Sequence, residues 1–180
     1  MRVMGIVGWS GAGKTTLLVR LIPELRRRGL VVSTLKHAHH GFDMDRPGKD
    51  SFEHRRAGAR EVIVASQRRW AQLHELAEGE QAGLAELLPR LSPCDLVLAE
   101  GFKSSAHPKL EVFRAGLGKP PLHPHDPRIV ALACDPVMPE AIVPTVALDD
   151  IAGVARLVCS AAEPVAEVRR ALARDGRAAQ

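Results

Sequence analysis

Residues 8–15 read Gly8-Trp9-Ser10-Gly11-Ala12-Gly13-Lys14-Thr15 and fill each fixed position of the phosphate-binding pattern G-x-x-x-x-G-K-[ST]. The flanks decide what such a match means. Before it, Val3-Met4-Gly5-Ile6-Val7 is a short apolar run that suits a buried strand; after it, Thr16 to Ile22 has the spacing of an amphipathic helix. Strand, glycine loop and helix together predict a P-loop. Its backbone N–H groups converge on phosphate oxygens, and the helix N-terminus adds partial positive charge. In that arrangement Lys14 reaches the β- and γ-phosphates and the Thr15 hydroxyl ligates Mg²⁺.

The rest of the chain alternates in the same way. The first helix is expected over Lys14 to Arg28, with Gly29 ending it and Pro23 as a possible kink. Strands are expected at 30–35, 61–65, 69–73, 96–99, 129–133 and 144–148, with 110–114 as an alternating edge strand. Helices are expected from Asp50, which with Glu53 resembles a capping box, over 81–91, from Asp149 or Asp150 through Val158, and over 165–173. Pro120, Pro121, Pro124 and Pro127 make 116–127 an irregular loop. Strands alternating with helices predict a three-layer α/β P-loop NTPase fold with a mostly parallel central sheet. No repeat or long linker divides it. We therefore expect a single domain over 1–180, with 163–180 as a C-terminal helix and frayed tail.

Composition narrows the partners. The net charge is +4, and the basic clusters lie at helix ends, where they suit the dipole. Tyrosine is absent and aromatic residues make up 3% of the chain, which argues against a base-stacking nucleic-acid surface. No apolar run approaches the roughly 20 residues of a membrane helix. Cys94, Cys134 and Cys159 are widely spaced. With no signal-peptide pattern, the expected location is the cytoplasm.

Ligands of such sheets bind beyond the carboxyl ends of the strands. Of the two acids flanking Leu96 to Ala99, only Glu100 lies at that end. Glu100 is thus the expected carboxylate near Mg²⁺, and Asp95 is expected to be structural. Gly101 allows close backbone approach, with Phe102 and Lys103 as walls. The loop after the second strand also opens at this edge. It carries His37, His39, His40, Asp43 and Asp45 between Lys36 and Lys49. Those groups suit phosphate or Mg²⁺ handling, and the histidines leave a transition-metal site open. The chain has no asparagine, so the N-K-x-D guanine reader cannot be present. Trp9 stands where the chromosome-partitioning ATPases carry a lysine.

Several blocks together resemble the molybdopterin-guanine dinucleotide biosynthesis adaptor family (MobB). They are Trp9 to Thr16, Lys36 to His40, Asp43 to Ser51, Arg56 to Ala59, Val64 to Trp70 and Glu100 to Lys103. The resemblance spans residues 5–103 and is weak after 114. It implies a GTP- and Mg²⁺-binding accessory protein with at most slow GTP hydrolysis. It also implies a homodimer that acts with the guanylyltransferase joining GMP to molybdopterin, and molybdopterin is a further candidate ligand. Residue by residue, it points to Gly11, Ala12, Gly13, Lys14, Thr15, Thr16, His39, Asp43, Gly101 and Lys103 as nucleotide- or partner-facing. The candidate catalytic groups are Lys14, Asp45 and Glu100, and the candidate Mg²⁺ pair is Thr15 and Glu100. Two alternatives share the P-loop: a small-molecule or nucleotide kinase with 116–127 as an arginine lid, and a metal-insertion GTPase using His37, His39 and His40.

Overall fold

The computed structural model describes residues 1–38 and 45–178, with side chains through 175. The chain divides into two compact units, Met1–His37 with Leu84–Gln180, and Ala38–Gly83.

The first unit is built on a seven-stranded sheet. Its parallel strands run in the order β2 (Val32–Lys36), β5 (Leu96–Glu100), β1 (Arg2–Val7), β6 (Lys109–Arg114), β7 (Ile129–Asp135) and β8 (Thr145–Ala147). The two-residue β9 (Glu163–Pro164) pairs antiparallel with the start of β1. Alternation along the strands makes the layers. Met4 and Ile6 of β1, with Leu96 and Leu98 of β5, pack on Leu17, Leu18, Leu21 and Leu25 of α1 (Lys14–Arg27) and on Val154 and Val158 of α4 (Ile151–Ala161). Val3, Val97 and Ala99 point the other way, to Leu84 of α3 (Leu84–Leu87), Leu88, and Val168 of α5 (Val165–Ala178). β1 and β5 are thus covered on both faces, which is why their sequences are nearly continuous apolar runs. The expected α/β architecture is the one observed.

α1 continues through Pro23 and stops as its sequence requires. Gly29 takes φ 85°, its N–H donates to Arg26 O, and Leu30 N donates to Leu25 O. These are the paired bonds of a Schellman turn. At the other end of the unit, Asp150 caps α4, its carboxylate accepting from Gly153 N at 2.8 Å.

Three elements differ from the sequence reading. The helix expected over 81–91 is a single turn, α3, followed by a 3₁₀ turn at Leu88–Arg90. Gly83 delays its start, and Pro89 clashes with a continued α-helix. The strand at 110–114 is not an edge: β6 lies between β1 and β7. Its alternation reflects a polar face buried under the loop that follows it. Asp50 does not cap its helix. Lys49 is the N-cap without a side-chain bond, and Asp50 is the first residue of α2 (Asp50–Arg56), where its charge and that of Glu53 still suit the dipole.

The second unit holds α2 and an antiparallel hairpin of β3 (Glu61–Ala65) and β4 (Trp70–His74), with Ala65 opposite Trp70. Val62 is buried there, whereas Ile63, Val64 and Trp70 are exposed. Among the described residues no helix is long and apolar enough to cross a membrane.

Candidate functional site

The P-loop sits at the carboxyl end of β1, and two of its glycines are obligatory. Gly8 has φ 145°, and a Cβ there would lie 2.4 Å from Val112 O. Gly13, the N-cap of α1, has φ 96°, in the left-handed region that side chains disfavour. No side chain caps α1, so its first N–H groups are presented by backbone alone. Lys14 folds over the loop, its Nζ donating to Gly8 O at 3.1 Å and Trp9 O at 3.0 Å. Its ammonium is held below its ordinary pKa, first by burial and then by the charge of Lys103, with Lys36 adding to this and Glu100 opposing it. Converging cations repel one another, and an anion placed among them relieves that repulsion.

Glu100 ends β5 beside Ile6 of β1 and has the parity of Leu96 and Leu98, so it faces α1. It is 8% exposed. Thr15 Oγ1 donates to its Oε1 at 2.8 Å, and Lys36 Nζ stands 3.8 Å from its Oε2. Hydroxyl and carboxylate are both hard oxygen donors, so this pair fits Mg²⁺. Asp95, at the opposite end of β5, is structural as expected: its Oδ2 accepts from Val31 N at 2.8 Å.

After Glu100 the chain turns sharply. Gly101 has φ 90°, with a built Cβ only 3.0 Å from that of His37; Phe102 follows at φ 49°. A bulky residue in that region is strained. Burial of the Phe102 ring in the α3–α5 face, 5.2 Å from the His37 ring, holds it there. The turn returns Lys103 to the P-loop, its Nζ 4.9 Å from the Trp9 ring centre. Lys119 approaches the same ring at 5.9 Å, and Trp9 Nε1 donates to Pro120 O at 2.8 Å. The proline-rich segment therefore closes one side of the phosphate loop.

That segment explains β6. It is the crossover from β6 to β7, and it contains no α-helix to satisfy its own amides. Glu111, fully buried, does so instead: its carboxylate accepts from Leu122 N at 2.7 Å and His123 N at 2.9 Å, and meets His123 Nδ1 at 3.2 Å. Lys109, 2% exposed, pairs with Asp126 at 2.8 Å. The polar face of the alternating strand is thus buried under a loop, not exposed at an edge. His107 is also buried. Its Nδ1 faces Ser105 O at 3.0 Å, and its Nε2 lies against Gly5, where a Cβ would be 2.3 Å away. Burial, then the charge of Lys109, pushes its pKa down to about 4. Sequence reasoning passed over Glu111, Lys109 and His107. The one available signal was a charged alternation next to a proline-rich segment.

The structure brings together Gly11, Ala12, Gly13, Lys14, Thr15, Thr16, Glu100, Gly101 and Lys103 at one edge of the first unit. The kinase reading needed arginines in 116–127, and none occurs there. Asp45 belongs to the second unit, where Ser51 Oγ donates to its Oδ1 at 3.0 Å and Arg55 Nε stands 3.6 Å from its Oδ2. His39, His40 and Asp43 lie outside the described residues. Among the described residues no group of three metal-ligating side chains occurs.

Known proteins resemble this chain in sequence and fold. The profile of the family "Molybdopterin guanine dinucleotide synthesis protein B" (MobB) matches residues 3–135. The chain is 43% identical over 159 residues to the molybdopterin-guanine dinucleotide biosynthesis adapter protein of Escherichia coli (strain K12), covering 87% of this chain and 90% of that one. A crystal structure of molybdopterin-guanine biosynthesis protein B superposes with a TM-score of 0.69 at 30% identity, over 88% of this chain and 98% of that one. The MobB homolog from Bacillus stearothermophilus superposes with a TM-score of 0.64 at 25% identity, over 94% and 99%.

Proposed function

The chain belongs to the MobB family, and on that premise we propose that it is a GTP-binding adaptor in molybdopterin-guanine dinucleotide biosynthesis, acting with the guanylyltransferase that joins GMP to molybdopterin. The adaptor role is the one printed for the E. coli relative. The observation that carries the nucleotide part is the Thr15–Glu100 pair set beside Lys14 at the P-loop. The N–H groups of Gly11 to Thr16 and the Lys14 ammonium hold the phosphates, and Lys103 adds charge at the rim. Thr15 and Glu100 would hold Mg²⁺, which when bound offsets charge on the phosphate oxygens. Glu100 is engaged by a hydroxyl and a lysine, which supports slow hydrolysis at most. Asp45, His39 and Asp43 are kept as nucleotide- or partner-facing groups on the strength of the sequence blocks that carry them.

The homodimer reading draws support from the hairpin. A two-stranded sheet is marginal alone, and the exposed Ile63, Val64 and Trp70 are what a second copy would cover. We read 38–83 as an insertion within one nucleotide-binding domain over 1–180, located in the cytoplasm.

Co-purification with cellular partners, followed by GTP and ATP titration of the same preparation, tests this reading. Recovery of the guanylyltransferase and tighter binding of GTP are expected. Tighter ATP binding would refute the GTP assignment.

A further inference from the structure

A cavity of about 850 Å³ lies on the α5 side of the sheet, within the first unit. One face of α5 supplies much of its wall. Glu167, Arg170, Ala171, Arg174 and Asp175 line it, at spacings of i, i+3, i+4, i+7 and i+8. Val165, Val168 and Leu172 of the same helix turn to the core instead. Ala171, in the middle of the charged stripe, leaves the space that a longer side chain would fill.

The charges around this cavity are only partly matched. Lys109 and Asp126 pair at 2.8 Å, and Asp126 also accepts from Arg128 N at 2.9 Å, so both are spent within the wall. Three arginines remain. Among the described residues, the guanidinium groups of Arg128 and Arg174 meet no acceptor, and Arg170 gives only its Nε, to Ala166 O of its own helix at 3.3 Å. Lys103, which also stands over Trp9 of the phosphate loop, adds a fourth cation. Glu163 and Glu167 are likewise unmatched, and they sit at the start of α5, where Val165 N donates to Met1 O. Asp175 ends the stripe. Acid thus gathers at the first turn of the helix and arginine beyond it, with Glu167 and Arg174 about 10 Å apart along the axis. Ser104, Ser105 and His125 complete the polar lining.

We propose that this cavity is a second ligand site, for a small phosphomonoester that also carries amino or ring N–H donors. Arginine forks match phosphate oxygens, and serine hydroxyls can donate to the same oxygens. The two glutamates accept from N–H groups at the ligand's other end. A site for a bare anion has no use for those glutamates. The volume is that of a cavity enclosing a small ligand. The inference does not depend on which nucleotide the P-loop takes.

The probes are pyridoxamine 5′-phosphate and pyridoxine 5′-phosphate. Both are fluorescent phosphomonoesters, and they differ by an amino group in place of a hydroxyl. Titration of the full chain should show the amine binding more tightly, with a Kd below about 1 mM. Lys14→Ala, which disables the P-loop, should not weaken it. Arg170→Ser combined with Arg174→Ser should weaken both probes roughly tenfold or more and leave triphosphate binding as it was. Glu167→Gln should bring the two probes to similar affinity. These three side chains are exposed, so the fold is expected to survive the changes. Ala171→Trp fills the cavity without altering any charge and should abolish binding of both probes. No binding at millimolar probe, or loss of binding in Lys14→Ala, would overturn the second site. So would binding untouched by the paired arginine changes or by Ala171→Trp. An unchanged preference for the amine in Glu167→Gln would overturn the donor-bearing end of the ligand.

Discussion

Lys14 spends its ammonium on the carbonyls of Gly8 and Trp9, and phosphate oxygens are better partners for it than neutral carbonyls. Lys14→Ala should therefore weaken triphosphate binding by about 1.5–3 kcal/mol, read by calorimetric titration; an unchanged affinity would place the phosphates elsewhere. His107 makes a separate prediction. Its folded pKa of about 4 lies below its ordinary 6.5. Between those values the unfolded chain binds a proton that the folded chain refuses. Stability is complete above about pH 6.5 and is lost as pH falls toward about 4, by about 3 kcal/mol in all. Urea denaturation from pH 7.5 to 4 should show this slope, and His107→Gln should flatten it. Equal slopes would show that the proton is taken up elsewhere. At this scale the P-loop residues and Glu100 were legible in the sequence, because a fixed spacing and a strand end identify them. His107 was not, because a lone histidine has no pattern; only packing against Gly5 makes it buried.

At the scale of elements, β6 and its crossover act as one piece. Glu111 accepts from two backbone amides of the proline-rich segment, and Trp9 ties the same segment to the P-loop. A glutamine has a single acceptor oxygen and would leave one buried amide unmatched. Glu111→Gln should lower stability by about 2–3 kcal/mol and speed hydrogen exchange at Leu122 and His123. Wild-type exchange rates at those two amides would show that the loop is held by other contacts. The alternation of Leu110 to Arg114 was visible in the sequence, but it is equally compatible with an edge strand and with an interior strand capped by a polar loop. Only strand order distinguishes them. α1, by contrast, was readable to its last turn, since Gly29 and the leucine periodicity are local signals.

At the scale of the whole molecule, the two units differ in what holds them. The sheet of the first unit is covered on both faces in β1 and β5, whereas the hairpin of the second buries Val62 and exposes Ile63, Val64 and Trp70. Amides of β3 and β4 should exchange at lower opening free energy than those of β1 and β5 in the monomer. Dimerisation through the hairpin should slow them, and Trp70→Ser should return them to the monomer rate and yield monomers in sedimentation. Concentration-independent exchange would count against a hairpin-mediated dimer.

By itself the sequence determined the phosphate loop, the α/β alternation, the choice of Glu100 over Asp95 and the family resemblance. Each of these depends on spacing along the chain, set by local backbone geometry. Tertiary structure alone decided that β6 is interior, that Glu111 pins the proline segment, and that Arg114 joins Asp135 to the P-loop. Those facts depend on which distant strands are neighbours. Asp135 is 121 positions from Lys14 in the chain, and only the parallel register of β1, β6 and β7 brings their carboxyl ends to one edge.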